Sequence, residues 1–197
     1  MDTLQLTDIA RNVTQFPSIL ATRFTGKQFW TVFRGYLDKF STDEVVYLSF
    51  SGVDVMDASF SDEVFSQLAV LRARKEYKFC YLILTELNET CEENLDMALV
   101  TRIDREPDDK PNLRNCALLY KKNDELNIIG KFENHVFETF TALMKEKTLS
   151  ARDISDILDI SLNAGSTRLK TLSDLGFAKR TEIRDEQGKQ YLYHALD

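Results

Sequence analysis

The residues best suited to recognising another molecule lie near the C-terminus. There a helix predicted over about 162–175 has one leucine-rich side and one polar side. A helix of this kind fits the major groove of DNA, where Asn can pair with adenine and Ser or Thr can contact bases or phosphates. The contact residues predicted on or beside the polar side are Ser161, Asn163, Ser166, Thr167 and Lys170.

Cationic side chains within this helix and in the segment after it could contact DNA backbone phosphates. Such contacts release counterions and add affinity without reading sequence. The residues assigned to this role are Arg168, Lys170, Arg180, Arg184 and Lys189. A solvated polar surface, or a surface that binds protein, is the alternative interpretation of the same residues.

A second group of polar side chains, in the first half of the chain, follows a predicted strand. It contains Asp57, Ser59, Ser61, Asp62 and Glu63. Paired carboxylates could serve acid–base chemistry, and a phosphorylated Ser beside a helix N-terminus would lie near backbone N–H groups. Acidic residues in a first helical turn are also ordinary partners of the helix dipole, and Ser59 or Ser61 could cap the helix. We favour these structural roles.

The sequence contains none of the common catalytic signatures that we considered. The phosphate-binding glycine patterns GxGxxG and the P-loop, the zinc motif HExxH and the nucleophile motif GxSxG do not occur. Neither the three cysteines nor the two histidines have disulfide or zinc spacing. We therefore expect no enzymatic activity, no metal and no cofactor.

Composition is typical of a globular protein, with 43% hydrophobic and 29% charged residues. The longest apolar runs are too short to span a membrane, and the first residues do not resemble a signal peptide, so a cytoplasmic location is expected. The net charge is −7. Residues 132–197 contain nine Lys and Arg against eleven Asp and Glu, a net charge of −2, so any DNA affinity must come from a local patch or from two copies.

The region 1–131 is predicted to be an α/β domain in which a central sheet is covered by helices. The predicted strands are 4–9, 45–50 and 78–84, followed by a hairpin of 117–120 and 126–129 with its turn at 121–124. The predicted helices run from a cap at Thr25 to about 40, over 61–74, and from a cap at Asn88 or Thr90 to about 102. The two prolines of 104–112 predict a loop.

The region 132–197 is predicted to be a second, α+β domain. It begins with a helix over 132–147, and Ser150 with Asp153 then predicts a capped helix that ends near Asp159. The helix over 162–175 follows and stops at Gly176, and the pair forms a helix-turn-helix pattern. Strands over 177–183 and 190–196, with a turn at 185–188, complete a hairpin in which Gly188 can adopt a positive φ.

The segment 149–196 resembles the winged helix-turn-helix domains of bacterial repressors, including the multiple-antibiotic-resistance and arsenic-repressor types. The residues that carry the resemblance are Leu149-Ser150, Ile154, Ile157-Leu158, Ser166-Thr167-Arg168-Leu169-Lys170, Leu172, Leu175-Gly176-Phe177, Arg180, Gly188 and Tyr191-Leu192-Tyr193. This resemblance implies a DNA-binding domain whose hairpin is the wing.

Residues 3–130 resemble the STAS domain of anti-sigma-factor antagonists, and more closely the STAS-like domains of bacterial and phage-related proteins. The matching elements are Phe50-Ser51-Gly52-Val53, the acidic turn from Asp57 to Glu63, and Thr22-Arg23. In the antagonist family a Ser after the Asp is phosphorylated by a partner kinase. Ala58 occupies that position here, so Ser59 or Ser61 would have to substitute.

These features predict a DNA-binding transcriptional regulator whose STAS-like domain senses a signal or binds a protein partner. A homodimer is expected, because one short recognition helix reads few bases and two half-sites add affinity. The alternative is a partner-switching or scaffold protein, whose winged helix binds protein and whose STAS-like domain meets a histidine-kinase-like ATPase.

Overall fold

The computed structural model describes residues 2–105, 113–185 and 188–196. The chain is a mixed α/β protein that divides into two compact units, Met1–Lys131 and Phe132–Asp197. Among the described residues, every helix is too short or too polar to cross a membrane. Within the same ranges, no group of three or more His, Cys, Asp or Glu side chains is placed to hold a metal ion.

Unit 1 contains a mixed five-stranded sheet and a separate ribbon of two short strands. Its elements are β1 (Asp2–Gln5), α1 (Leu6–Ala10), β2 (Ile19–Leu20), α2 (Arg23–Leu37), β3 (Val45–Ser49), β4 (Val55–Met56), α3 (Ala58–Ser61), α4 (Gln67–Ala73), β5 (Tyr81–Thr85), α5 (Glu89–Arg105), β6 (Cys116–Lys122) and β7 (Glu125–Lys131). The sheet order is β1-β3-β5-β6-β7, and β2 pairs with β4.

The first four strands of the five-stranded sheet are parallel, whereas β7 returns antiparallel to β6. The turn between β6 and β7 is Asn123-Asp124, and both residues have positive φ, as tight hairpin turns require. The predicted hairpin is therefore confirmed, with each strand longer than expected. The predicted loop 104–112 lies for the most part outside the described residues.

Helix α3 contacts both α2 and α5, and the apolar sides of these helices share one core with the sheet. Alternate residues of the strands, such as Leu48 and Leu84, contribute to this core because successive side chains point to opposite faces. Phenylalanine rings fill its centre, with Phe29 5.2 Å from Phe60 and Phe50 5.5 Å from Phe65 between centroids.

Several predicted boundaries in unit 1 were wrong. Helix α2 begins at Arg23 because Thr22, not Thr25, is its N-cap, and it ends at Leu37. The second predicted helix begins three residues before Ser61 and is interrupted by a π-helical turn, Asp62–Ser66, between α3 and α4. The predicted opening strand 4–9 stops at Gln5, and the residues after it form helix α1. The strand predicted to begin at residue 78 is β5, which begins at Tyr81. Asn88 caps α5 as predicted, accepting the Cys91 N–H at 2.8 Å.

The described residues of unit 2 form three helices and a three-stranded antiparallel sheet in the order β8-β10-β9. Its elements are α6 (Asn134–Glu146), β8 (Thr148–Ser150), α7 (Ala151–Leu158), α8 (Leu162–Leu175), β9 (Lys179–Asp185) and β10 (Gly188–His194). The predicted capping box of Ser150 and Asp153 is confirmed, as are both ends of α8 and the left-handed Gly176 that follows it.

The hairpin strands start two residues away from the predicted positions. Phe177 and Ala178 are fully buried and connect α8 to β9, so the strand itself begins at Lys179. Strand β10 begins at Gly188, whose φ of +114° agrees with the predicted positive value. The middle of the predicted turn, 186–187, lies outside the described residues.

Gly165 allows α7 and α8 to cross closely. A Cβ at this position would lie 2.8 Å from the Ala151 carbonyl oxygen and 2.9 Å from Ile154 Cγ2. The Ala151 oxygen is backbone and cannot move without shifting α7. Leu169, Leu172 and Leu175 continue the same buried side of α8, so the glycine fixes which side of the helix faces the core.

Replacing Gly165 with Ala should therefore destabilise unit 2. We expect the free energy of unfolding to fall by about 1–3 kcal/mol, because overpacking a close helix crossing outweighs the gain in helix propensity. Denaturant titration followed by circular dichroism measures the change. The matched control is Gly35→Ala in α2, where a Cβ has no atom within 4 Å, and which should leave stability unchanged or raise it. Equal effects of the two substitutions would contradict the crossing.

Candidate nucleic-acid interface

The polar side of α8 faces solvent in unit 2. Asn163, Ser166, Thr167 and Lys170 are all exposed, while Gly165 on the opposite side is buried. The leucine spacing and the Gly165 crossing together place the leucines inside and so leave this polar row outside. These four predicted contact residues of α8 therefore lie on one surface, whereas Arg168, also predicted, lies off this row and contacts Glu138 of α6.

The side chains of this row differ in their remaining hydrogen-bonding capacity. Ser161 is the N-cap of α8 and accepts the Ala164 N–H at 3.3 Å, and the Thr167 hydroxyl donates to the Asn163 carbonyl at 2.9 Å. Within the described parts of the chain, the Asn163 amide and the Ser166 hydroxyl have no partner. These two side chains are consequently the ones free to bond an external molecule.

The two cations of α8 are held by carboxylates of unit 2. Arg168 lies 3.0 Å from Glu138 of α6, and Lys170 lies 2.5 Å from Asp174 one turn further along α8. Exposed ion pairs of this kind are worth about 0–1 kcal/mol, so an external phosphate can replace the carboxylate. Both cations can contact phosphate, but only by exchanging partners.

The β9–β10 hairpin places Arg180, Arg184 and Lys189 on one face, whereas Lys179 lies on the other. Every second side chain of a strand points to the same face, and on β9 these are Arg180, Glu182 and Arg184. The register of the hairpin places Lys189 directly opposite Arg184, and Tyr191 opposite Glu182. Arg184 and Lys189 both contact Glu182, at 3.2 and 2.7 Å. The predicted phosphate-contacting residues of the hairpin thus share a surface with each other and with an acidic side chain.

Two tyrosines accompany these cations on β10. The Arg180 guanidinium carbon lies 4.2 Å from the centroid of the Tyr191 ring, a cation–π distance. Tyr193 is buried beside Arg180, and burial raises the pKa of its hydroxyl although the charge of Arg180 opposes this shift.

In unit 1 the predicted switch residues lie where β2 and β4 each lead into a helix. The Asp57 carboxylate accepts the Phe60 N–H at 2.7 Å and the Thr22 N–H at 2.9 Å, so it connects the starts of α3 and α2. The helix cap is therefore Asp57, and the expectation that Ser59 or Ser61 caps this helix was wrong. Ser61 is fully buried and donates to the Asp57 carbonyl, while Ser59 is partly exposed.

Asp62 and Glu63 form ion pairs with arginines rather than an open pair of carboxylates. Asp62 is 2% exposed and lies 2.9 Å from Arg23 and 3.2 Å from Arg102, and Glu63 lies 2.7 Å from Arg23. The hydrogen bond from Arg23 to Glu63, followed by that to Asp62, raises the pKa of the Arg23 guanidinium. These contacts join α2 and α5 to the π-helical turn. Asp62 and Glu63 therefore have a structural role.

Sequence reasoning missed the carboxylates that hold the predicted cations and the arginines that hold Asp62. Glu182 lies in the predicted strand 177–183 and Arg184 one residue beyond its end, so their shared face could have been inferred only by extending that strand. Asp174 follows Lys170 at the i,i+4 helical spacing and was also open to inference. Glu138, Arg23 and Arg102 are far in sequence from their partners and gave no local signal.

Comparisons of the chain with family models, with curated proteins and with solved structures find no match.

Replacing Asp57 with Ala should lower the free energy of unfolding by about 1–2 kcal/mol, since two helix-terminal N–H groups lose their acceptor. Ser59→Ala should change it by no more than about 0.5 kcal/mol, because Ser59 caps nothing. Thermal unfolding of both variants checks the assignment. A Ser59→Ala variant as unstable as Asp57→Ala would overturn it.

Proposed function

We propose that the chain is a DNA-binding transcriptional regulator in which unit 2 is a winged helix-turn-helix domain. The observation that carries this proposal is the exposed polar row of α8, with the free Asn163 amide and Ser166 hydroxyl opposite a buried leucine side. An α-helix of this form fits the major groove, where the Asn side-chain amide can bond both N6 and N7 of adenine.

The order of the elements of unit 2 supports the same proposal. A helix, a strand, two helices and a two-stranded hairpin follow one another, and the short strand β8 pairs beside β10. In this proposal α8 is the recognition helix and the β9–β10 hairpin is the wing, in which Arg180, Arg184 and Lys189 contact backbone phosphates. Unit 1 is proposed to be a STAS-like domain that receives a signal or holds a protein partner.

The acidic composition is compatible with DNA binding if the affinity comes from a small cationic surface that is present in two copies in a dimer. The cations of unit 2 that we assign to phosphate contacts are Arg168, Lys170, Arg180, Arg184 and Lys189. We propose a homodimer on two half-sites about one helical turn apart, because a second copy doubles the number of phosphate contacts. Such binding should be strongly dependent on salt.

Selection from a library of random-sequence DNA duplexes at low salt tests the proposal. We expect the full chain to enrich a repeated half-site, and Lys170→Glu/Arg184→Glu to weaken binding to the selected duplex by about tenfold or more, since phosphate contacts are lost. Lys27→Glu/Lys39→Glu, with Lys27 in α2 and Lys39 two residues after its end, changes the net charge equally and is the matched control. Asn163→Ala should relax selection at one base position.

Two results would count against this assignment. Failure to enrich any sequence at low salt would remove the DNA-binding proposal itself. Equal weakening by both charge-reversal pairs would show that overall charge, not the α8 and hairpin surface, determines the interaction.

A second candidate function rests on two exposed apolar side chains at the turn between α7 and α8. Ile157 is 48% exposed and Leu162 is 52% exposed, and the acidic side chains Asp156 and Asp159 are exposed in the same segment. Exposed apolar side chains beside charge are typical of protein-binding surfaces when they form a patch. In this alternative the chain is a partner-switching or scaffold protein.

Substitution at this turn separates the two candidates. If unit 2 binds a protein partner, Ile157→Glu/Leu162→Glu should abolish co-purification of that partner with the full chain. The Lys170→Glu/Arg184→Glu variant should retain it. If the Ile157→Glu/Leu162→Glu variant keeps the partner and the Lys170→Glu/Arg184→Glu variant loses it, the partner binds the polar surface of α8 and not the exposed apolar side chains.

A further inference from the structure

One carboxylate occupies the middle of the cationic face of the hairpin. On β9 the residues Arg180, Glu182 and Arg184 share that face, and on β10 it is continued by Tyr191 and Lys189. Glu182 therefore lies between the cations along its own strand and diagonally across from Lys189. The strand register, and not the side-chain rotamer, determines that Glu182 lies on this face.

The contacts of Glu182 engage two of the three cations. Its Oε2 is 2.7 Å from Lys189 Nζ, and its Oε1 is 3.2 Å from Arg184 Nε. Arg180 lies over the face of Tyr191, and Lys189 Nζ is 5.1 Å from the same ring centroid. The hydrogen bond from Lys189, with that from Arg184, lowers the pKa of Glu182, so the carboxylate is charged at neutral pH.

We propose that Glu182 is an internal competitor of DNA phosphate, which holds Lys189 and Arg184 until a duplex displaces it and so sets the affinity of the hairpin for DNA. This inference rests on the proposed function, because it assumes that the hairpin contacts a polyanion. It adds to that function a residue that opposes binding.

The competition follows from the chemistry of the groups. Carboxylate and phosphate oxygens accept hydrogen bonds from the same ammonium and guanidinium donors, with similar geometry. When phosphate takes Lys189 and Arg184, Glu182 loses both partners and is left beside a second anion. Binding therefore requires the exchange of two ion pairs and adds a repulsion that a neutral side chain would not cause.

Glu182→Gln tests the inference, because glutamine keeps the shape of the side chain and removes its charge. Fluorescence anisotropy of the full chain with a labelled random-sequence duplex, over a series of salt concentrations, gives the affinity and its salt dependence. We expect the variant to bind about three- to tenfold more tightly, from the release of two exposed pairs. The slope of log K against log salt should steepen by about one.

Glu146→Gln is the matched control. Glu146 belongs to the same unit and lies 3.8 Å from Lys145, which is not among the proposed contact residues. The substitution removes the same charge from unit 2 and should leave affinity within about twofold of the unsubstituted chain, since no contact cation is released. Thermal unfolding of both variants establishes that each is folded.

The outcomes separate this inference from the function on which it rests. If the unsubstituted chain binds the duplex and the two variants bind equally, Glu182 has no competing role, although DNA binding stands. If neither the unsubstituted chain nor Glu182→Gln binds at low salt, both proposals are overturned. Tighter binding by Glu182→Gln alone, even where the unsubstituted chain binds weakly, supports the inference.

Discussion

The crossing of α7 and α8 at Gly165 determines which residues unit 2 presents to solvent. At a Cβ distance of 2.8 Å from a backbone oxygen, any larger side chain would separate the helices or rotate α8. Because the crossing admits only this side of α8, the leucines are buried and Asn163 and Ser166 are exposed. The position of the candidate interface is thus a consequence of helix packing. Its functional groups are the side chains on the side of α8 that does not pack against the rest of unit 2.

Charge distribution is the second feature that shapes this interface. The chain has a net charge of −7, and Arg168, Lys170, Arg184 and Lys189 are each bonded to a carboxylate of unit 2. Since exposed pairs contribute little free energy, they do not prevent contact with another anion. They do reduce the positive potential that would attract any polyanion, which favours recognition through specific contacts over non-specific attraction.

In unit 1, a small set of polar contacts connects the two-stranded ribbon to three helices. Thr22 has a φ of +75°, which is unusual for a β-branched residue and costs about 1–3 kcal/mol. The Asp57 carboxylate bonds its N–H, and Arg23 next to it reaches Asp62 and Glu63 in the π-helical turn. Strain, a buried charge and a π-helical turn therefore occur together where two helices begin.

The sequence by itself determined most features that depend on neighbouring residues. The periodicity and caps predicted α8 from Leu162 to Leu175, the Ser150–Asp153 capping box and the β6–β7 hairpin, because each arises from interactions within a few residues. The exposed polar row of α8 follows from the same periodicity. Boundaries such as the start of α2 failed because Thr22 is held by Asp57, which is distant in sequence.

Only the tertiary structure decided how charged residues that are distant in sequence are paired. The partners Arg168–Glu138 and Asp62–Arg102 are separated by 30 and 40 positions, and no periodicity relates them. The π-helical turn and the buried state of Ser61 likewise depend on helices packing against one another. An ion pair needs only that two side chains come within about 4 Å, which is a property of the folded chain and not of spacing along it.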